Sequence, residues 1–323
     1  MEYTHLGRSG LSVSRLCLGT MNFGPETSEV DAFAIMDRAH AAGINFFDTA
    51  NVYGWQKGEG ITEQIIGRWF AQGGGRRERT VIATKLYGSM SDWPNDTFLS
   101  ARNIRRAADA SLRRLQTDVI DLYQMHHVDR STPWEEVWEA MSVLRQQGKI
   151  LYVGSSNFAG WHLAAAQEAA RARGTVGLTS EQSIYNLLTR DVEREVIPAS
   201  EHYGIGLIPW SPLMGGLLGG VLGKERAGRR RTAGRAREAL AANREAIEAY
   251  EGFCASLGAE PANVGLAWLL HQPVVTAPII GPRTTEQLDG ALQALQIALG
   301  ETELAELEKI FPGQNTAPEA YAW

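Results

Sequence analysis

Short apolar runs alternate along the chain with longer stretches whose apolar residues recur every three to four positions. The runs occupy 14–19, 44–48, 80–85, 119–126, 150–157, 177–182, 205–212 and 276–281. They are near-continuous rather than alternating, which suits strands covered on both faces. Between and after them the 3.6-residue period predicts helices over 28–43, 61–72, 96–116, 132–148, 160–174, 190–204 and 284–299. In the first of these, Phe33, Met36, Ala39 and His40 fall at helical spacing. Ser28 and Thr132, each with acids in the next turn, are expected N-caps, and Gly43, Gly148, Gly174 and Gly204 are expected helix stops. Eight strand–helix units predict a (β/α)₈ barrel. The rival is a doubly wound open sheet, which usually carries Gly-x-Gly-x-x-Gly after its first strand; here the first run ends in GTMNFG. Before the first run, residues 2–14 predict an extra hairpin turned at 8–10, placed to plug the barrel's bottom.

In such a barrel the chemistry collects at the C-terminal ends of the strands. The second run ends in Asp48, with Tyr53 on the loop beyond it, and the third ends in Lys85. The fourth ends in His126 and His127, the fifth in Ser155, Ser156 and Asn157, and the sixth in Glu181 and Gln182. The seventh carries Trp210 and Ser211, and the eighth Gly281 and Arg283. A phenol is a poor acid at neutral pH, and a neighbouring ammonium lowers its pKa. A carboxylate holds that ammonium, and a neutral imidazole can donate a hydrogen bond to a carbonyl oxygen. The set is a kit for protonating an oxygen while hydride reaches its carbon. Each member also has an ordinary reading as a turn cap, rim residue or solvated cation. The adjacent histidines lack further ligands at metal spacing, so no metal site is expected, and no Gly-x-Ser-x-Gly elbow is present.

Composition narrows the class. The chain has 323 residues, 44% of them hydrophobic, and a net charge of −6. It can bury a large core, and it lacks the basic balance of a general nucleic-acid or anionic-membrane binder. No apolar run is long enough for a spanning helix, and MEYTHLGRSG does not resemble a secretory signal. With only Cys17 and Cys254, the expectation is a cytoplasmic protein with buried, reduced thiols. The stretch at 223–239 is strongly basic and follows the seventh run. It is either a solvated loop entering a helix or a flap over phosphates.

From Gly7 to the C-terminus the chain resembles the aldo-keto reductases. The resemblance rests on LGRSGLSVSRLCLGTMNFG (6–24), NFFDTANVYG (45–54), ATK (83–85), DLYQMHHVD (121–129), GKILYVGSSNF (148–158), EQSIYNLLTR (181–190), PWSPLMGGLL (209–218) and GPRTTEQL (281–288). The GSSN and YNLLTR pieces resemble the branch of bacterial general reductases and voltage-gated potassium channel β-subunits. It implies one barrel domain over 1–323 that reduces aldehydes or ketones with NADPH. Tyr53 would be the general acid, Lys85 would depress its pKa, Asp48 would pair with Lys85, and His126 rather than His127 would orient the carbonyl. Thr20, Met21, Asp48, Ser156, Asn157, Gln182, Trp210, Ser211, Leu213, Gly215, Leu217, Gly281, Arg283 and Gln287 would contact the cofactor. Within that set Trp210 would stack on the nicotinamide and Arg283 would meet the 2′-phosphate. Where family members often follow EQL with an acid and an asparagine, this chain has Gly290 and Ala291 in that region, so fewer adenine contacts are expected.

The substrate wall would draw on the loops at 87–95 and 127–132 and on the C-terminal tail, with Trp55, Tyr87, Trp93 and Trp323 supplying rings. These suit hydrophobic and sugar-like carbonyls equally. The expected partner is a small carbonyl compound, with neither nucleic acid nor membrane, and a homo-oligomer is possible. Two other functions stay open: an NADPH-sensing β-subunit-like protein with little turnover, and a lyase or hydrolase using Asp48 and Glu181. The channel-associated branch carries asparagine at the position of His126, so the histidine favours a working enzyme.

Overall fold

A computed structural model describes residues 1–227 and 234–322. Part of the basic stretch (228–233) and Trp323 lie outside these residues. An antiparallel hairpin, β1 (Tyr3–His5) with β2 (Ser12–Ser14), precedes eight parallel strands. These are β3 (Cys17–Gly19), β4 (Phe46–Asp48), β5 (Val81–Leu86), β6 (Ile120–Met125), β7 (Ile150–Ser156), β8 (Leu178–Gln182), β9 (Gly206–Leu207) and β10 (Ile279–Ile280), with β10 beside β3. Leu207 N–H donates to Val274 O at 3.0 Å, and Thr276 N–H donates to Leu207 O at 2.8 Å. Those bonds close the sheet into the expected barrel.

Helices α1 (Glu29–Ala41), α2 (Ile61–Phe70), α3 (Ala101–Leu115), α4 (Trp134–Gln146), α5 (Gly160–Ala172) and α6 (Val196–Tyr203) follow strands β3 to β8 in turn. Among the described residues four α-helices separate β9 from β10: α7 (Val221–Arg226), α8 (Gly234–Ala242), α9 (Arg244–Ser256) and α10 (Pro261–His271). After β10 come α11 (Thr285–Leu292), α12 (Glu301–Ile310) and the short α13 (Glu319–Ala322).

The alternation of side chains along each strand sorts the barrel into two cores. Cys17, Phe46, Val81, Ala83, Leu122, Ile208 and Ala277 point inward, where they meet Leu6 and Val13 of the hairpin segment. The hairpin therefore plugs the floor. Gly7 makes this possible: at φ +54° it lies so close to the barrel that an added Cβ would sit 2.5 Å from Thr179 O. The neighbouring positions, Leu18, Phe47, Ile82 and Tyr123, face the helix layer. Each such burial contributes about 1.5–3 kcal/mol before the entropy of ordering is counted. Both cysteines are buried free thiols.

Ser28 caps α1, accepting from Asp31 N–H, and Gly43, Gly148, Gly174 and Gly204 all take positive φ at helix ends. Thr132 does not cap α4: its hydroxyl donates to Asp129 Oδ2 at 2.6 Å, and Pro133 holds the cap position. The 190–204 stretch divides into a 3₁₀ turn (Asp191–Glu193) and α6, and the last predicted helix bends into 3₁₀ at Gln293–Gln296. Among the described residues no helix is long and apolar enough to cross a membrane.

Candidate active site

Inward-facing positions at the strands' C-terminal ends carry the polar residues. Asp48 lies two past Phe46, Lys85 two past Ala83 and Gln124 two past Leu122, so the pleat turns all three into the barrel. Register then brings them together, because Asp48 pairs with Ala83 and Lys85 with Gln124. Lys85 is fully enclosed. Its Nζ donates to Asp48 Oδ2 at 2.6 Å, to Thr49 O at 2.8 Å and to Tyr53 OH at 3.3 Å. Asp48, 3% exposed, also accepts at Oδ1 from Gln124 Nε2 (3.0 Å) and Gln182 Nε2 (2.8 Å). A buried ion pair is tolerated when its remaining donors and acceptors are satisfied, and these are. Gln124 is a support the motif reading passed over, although its place two residues before His126 puts it on the same face.

Tyr53 stands on the loop after β4, held by its N–H on Ala50 O (3.2 Å) and by Gly54, whose φ of +111° packs the chain against Ile61. The His126 ring meets Tyr53 edge-on with centroids 6.0 Å apart, while His127 stacks behind His126 at 5.5 Å. The structure therefore sets His126, not His127, against the phenol.

The electrostatics correct one expectation. Burial pushes the Tyr53 phenol above its ordinary range; Lys85 opposes this through its charge and hydrogen bond, and Asp48 adds to it. The net direction is up, not down, so the lysine offsets desolvation rather than delivering an acidic phenol. Lys85 loses to burial but gains more from Asp48 and Tyr53, and its pKa rises. Burial first, then Lys85 and His127, push His126 down to about 3. Its imidazole is neutral at pH 7, with one N–H to donate.

The pH profile of turnover should accordingly show no His126 ionisation between about pH 5 and 8. An acid limb with a midpoint near 6.5 that vanishes in His126→Asn would contradict this. Because the folded state resists that proton, His126 contributes stability present above about pH 6.5 and lost as pH falls toward 3.

Other expected contacts surround this centre. Asn157, in the left-handed region at φ +58°, accepts from Trp210 Nε1 at 3.1 Å and donates to Ser156 Oγ at 3.0 Å. From Ser211 to Gly216 the backbone turns through four positive φ values, at Ser211, Met214, Gly215 and Gly216. Among the described residues no atom lies within 4 Å of where a Cβ on Gly215 would stand. The turn is held by its own amides: Met214 N–H donates to Ser211 O at 2.9 Å, Gly215 N–H to Ser211 Oγ at 3.3 Å and Gly216 N–H to Leu213 O at 2.8 Å. Leu213 is partly buried beside it, whereas the Leu217 side chain packs into a satellite core with Val221 and Ile247, so only its backbone faces the turn.

Thr20 is buried with its hydroxyl on Asp48 O, and Met21 is exposed. Across the mouth, Gly281 O accepts from Asn22 Nδ2, and Thr284 caps α11. Gln287 accepts from Arg283 N–H at 2.9 Å. The Arg283 side chain pairs with Glu26 at 2.7 Å rather than with the nearby Glu286. The residues present thus fit a dinucleotide: a ring at Trp210 beside Asn157, a glycine-bearing turn at 211–216 that lets a ligand approach its backbone, and a cation beside a helix N-terminus.

Glu181 and Asp48 do not form a catalytic pair. Ser180 and Gln182 face inward, so Glu181 faces outward, sealed behind the wall, which removes the acid–base reading built on those two carboxyls. Among the described residues no cluster of three or more metal-ligating side chains occurs.

Comparison with known proteins agrees with this geometry. The model of the "Aldo/keto reductase family" matches residues 15–311. The chain belongs to the aldo/keto reductase family. It is 56% identical to "Uncharacterized oxidoreductase YrpG" of Bacillus subtilis (strain 168), with all of both chains covered. It is 34% identical to "Versiconal hemiacetal acetate reductase" of Aspergillus parasiticus (98% of this chain, 100% of the relative). It is 32% identical to "Probable voltage-gated potassium channel subunit beta" of Arabidopsis thaliana (99% and 100%). Asp48, Lys85, Tyr53 and His126 stand together in one cluster at the barrel mouth.

Proposed function

We propose that this aldo/keto reductase is a working NADPH-dependent enzyme that reduces aldehydes or ketones to alcohols. The observation that carries the reading is the buried Asp48–Lys85–Tyr53 chain with a neutral imidazole against the phenol. NADPH, when bound, supplies the hydride. His126 orients the carbonyl oxygen through its one N–H, and Tyr53 gives that oxygen a proton. Lys85 stabilises the phenolate left behind, and Asp48 keeps Lys85 charged and in place. Trp210, Asn157, Ser156 and Gln182 provide the nicotinamide's surroundings, and the 211–216 turn those of the pyrophosphate. The protein acts in the cytoplasm on a small-molecule substrate.

The mouth favours a planar, apolar carbonyl over a sugar. Trp55, 61% exposed, lies 6.4 Å from the Tyr53 ring. Tyr87 contacts both Phe98 and His127 edge-on. Trp55, Tyr87 and Phe98 all take positive φ, costly for bulky residues, and such strain gathers where rings must be aimed at a ligand.

Two measurements test the reading. NADPH oxidation at 340 nm with a carbonyl panel should show turnover, fastest with aryl carbonyls; NADPH binding without turnover on any carbonyl would favour a sensor. Titrating both nucleotides against Arg283→Ala tests the phosphate contact. NADPH should weaken by about 1.5–3 kcal/mol, toward the lower end because Arg283 is half exposed, while NADH barely moves. The Glu26 pair that Arg283 gives up is an exposed one, worth about 0–1 kcal/mol. Equal changes in both nucleotides would refute the contact.

A further inference from the structure

One fully buried acid has no part in the chemistry above. Glu181 is 0% exposed, and no cation pairs with it among the described residues. Its carboxylate instead gathers neutral donors. Ser183 Oγ–H donates to Oε1 at 2.6 Å, Phe158 N–H donates to the same oxygen at 3.1 Å, and Ser155 Oγ–H donates to Oε2. The Asn157 N–H, bonded to Gln182 O at 3.0 Å, also acts on it. These donors come from the end of β7, the loop after it and the residue following β8. They bracket Asn157, the residue in the left-handed region that receives the Trp210 indole.

We propose that Glu181 is the positioning residue for the nicotinamide platform: from behind the barrel wall it holds the 155–158 segment so that Asn157 stays aligned with Trp210. This rests on the cofactor reading given above. An asparagine at φ +58° sits in a sparsely populated region and needs an external hold. Two acceptor oxygens shared among hydroxyl and backbone donors supply one. A neutral carboxylic acid must itself donate a proton, so it gives up part of that acceptor capacity.

Burial drives the Glu181 pKa up to about 7, against the pull of Ser155, Ser183 and the two backbone N–H groups. Among the described residues, ionisable groups around this segment include His126, whose carbonyl accepts from Asn157 Nδ2 at 3.3 Å, His162 against Phe158, Glu195 against Gly160, and Asp48 and Lys85 inside the barrel. None of them hydrogen-bonds or ion-pairs with Glu181. The hold on Asn157 therefore strengthens as pH rises through about 7 and loosens as it falls. Nucleotide affinity should rise with pH across that range.

The test uses the full chain as wild type, Glu181→Gln and Ser183→Ala. Without nucleotide, the Trp210 indole N–H resonance, assigned by its loss in Trp210→Phe, is followed by NMR from about pH 6 to 8.5. In wild type it should shift with a midpoint near 7. In Ser183→Ala, which strips one donor from the carboxylate, the midpoint should move higher. In Glu181→Gln the titration should vanish.

In parallel, NADPH affinity at about pH 8 should be roughly tenfold weaker in Glu181→Gln than in wild type, the worth of one hydrogen bond. The cofactor's 2′-phosphate ionises near pH 6 in every case, so the difference between proteins isolates Glu181. If NADPH binds and the indole titrates identically in wild type and Glu181→Gln, this inference is overturned while the reductase reading stands. If wild type does not bind NADPH at any pH, the cofactor reading falls, and the indole titration still decides whether Glu181 governs Asn157 and Trp210. Should Glu181→Gln not fold, an unshifted midpoint in Ser183→Ala would overturn the inference.

Discussion

Replacing Tyr53 with phenylalanine should leave a folded protein that binds NADPH normally and turns over about 10²–10⁴-fold more slowly, the usual worth of a general acid. The substitution removes one oxygen. The ring stays against His126 and Trp55, so the mouth keeps its shape. Lys85 loses its longest hydrogen bond, 3.3 Å, and keeps the two shorter ones to Asp48 and Thr49, so no buried charge is orphaned. Thermal unfolding should therefore hardly move, and the loss should appear in kcat rather than in nucleotide affinity. Single-turnover measurement of NADPH oxidation checks it; a rate within a few-fold of wild type would remove Tyr53 from the proton-transfer role.

The barrel was legible because both its signals are local. Apolar runs covered on two faces mark the strands, and glycine at positive φ marks where α1, α4, α5 and α6 stop. The tetrad was legible for a related reason: a polar residue ending an apolar run sits at the rim that carries chemistry. What escaped was set by contacts distant in sequence. Thr132 carries the signature of a cap, but Asp129 takes its hydroxyl and Pro133 occupies the position. The last two strands shrank to two residues each, since Pro209, Pro212 and Pro278 lack the N–H a ladder needs. Helix α10 shows no amphipathic stripe because it is buried on most sides, Val264, Leu266, Trp268 and Leu269 among its enclosed residues, and so it could not be read by period.

Charge counting had a parallel blind spot. An ammonium beside a phenol lowers its pKa, and the contribution of Lys85 to Tyr53 does so. Yet desolvation depends on how many other atoms enclose the ring, a quantity no motif contains. Arg283 pairs with Glu26, from a loop 257 positions earlier, a partner that no local pattern marks. The Asp48–Glu181 alternative failed on parity. Which side of the wall Glu181 faces follows from Gln182 reaching Asp48, a contact between residues 134 apart in the chain, on strands at opposite sides of the barrel.

Lys85→Met should be the more damaging substitution, because it acts on fold and chemistry together. The ammonium is wholly buried, and its removal leaves the Asp48 carboxylate enclosed with only the amides of Gln124 and Gln182 to satisfy it. Breaking a buried pair from one side typically costs about 3–5 kcal/mol. Turnover should also collapse, since nothing then offsets the burial that disfavours a Tyr53 phenolate. The two effects separate in Lys85→Met/Asp48→Asn. A neutral amide at 48 no longer carries an unpaired charge and still accepts from Gln124 and Gln182 through its oxygen, so denaturant unfolding should return most of the lost stability. Carbonyl reduction should not return, because the cation beside the phenol is still missing. Recovery of both stability and turnover in the double variant would mean that Lys85 serves only to neutralise Asp48, and the role given to it in proton transfer would have to be withdrawn.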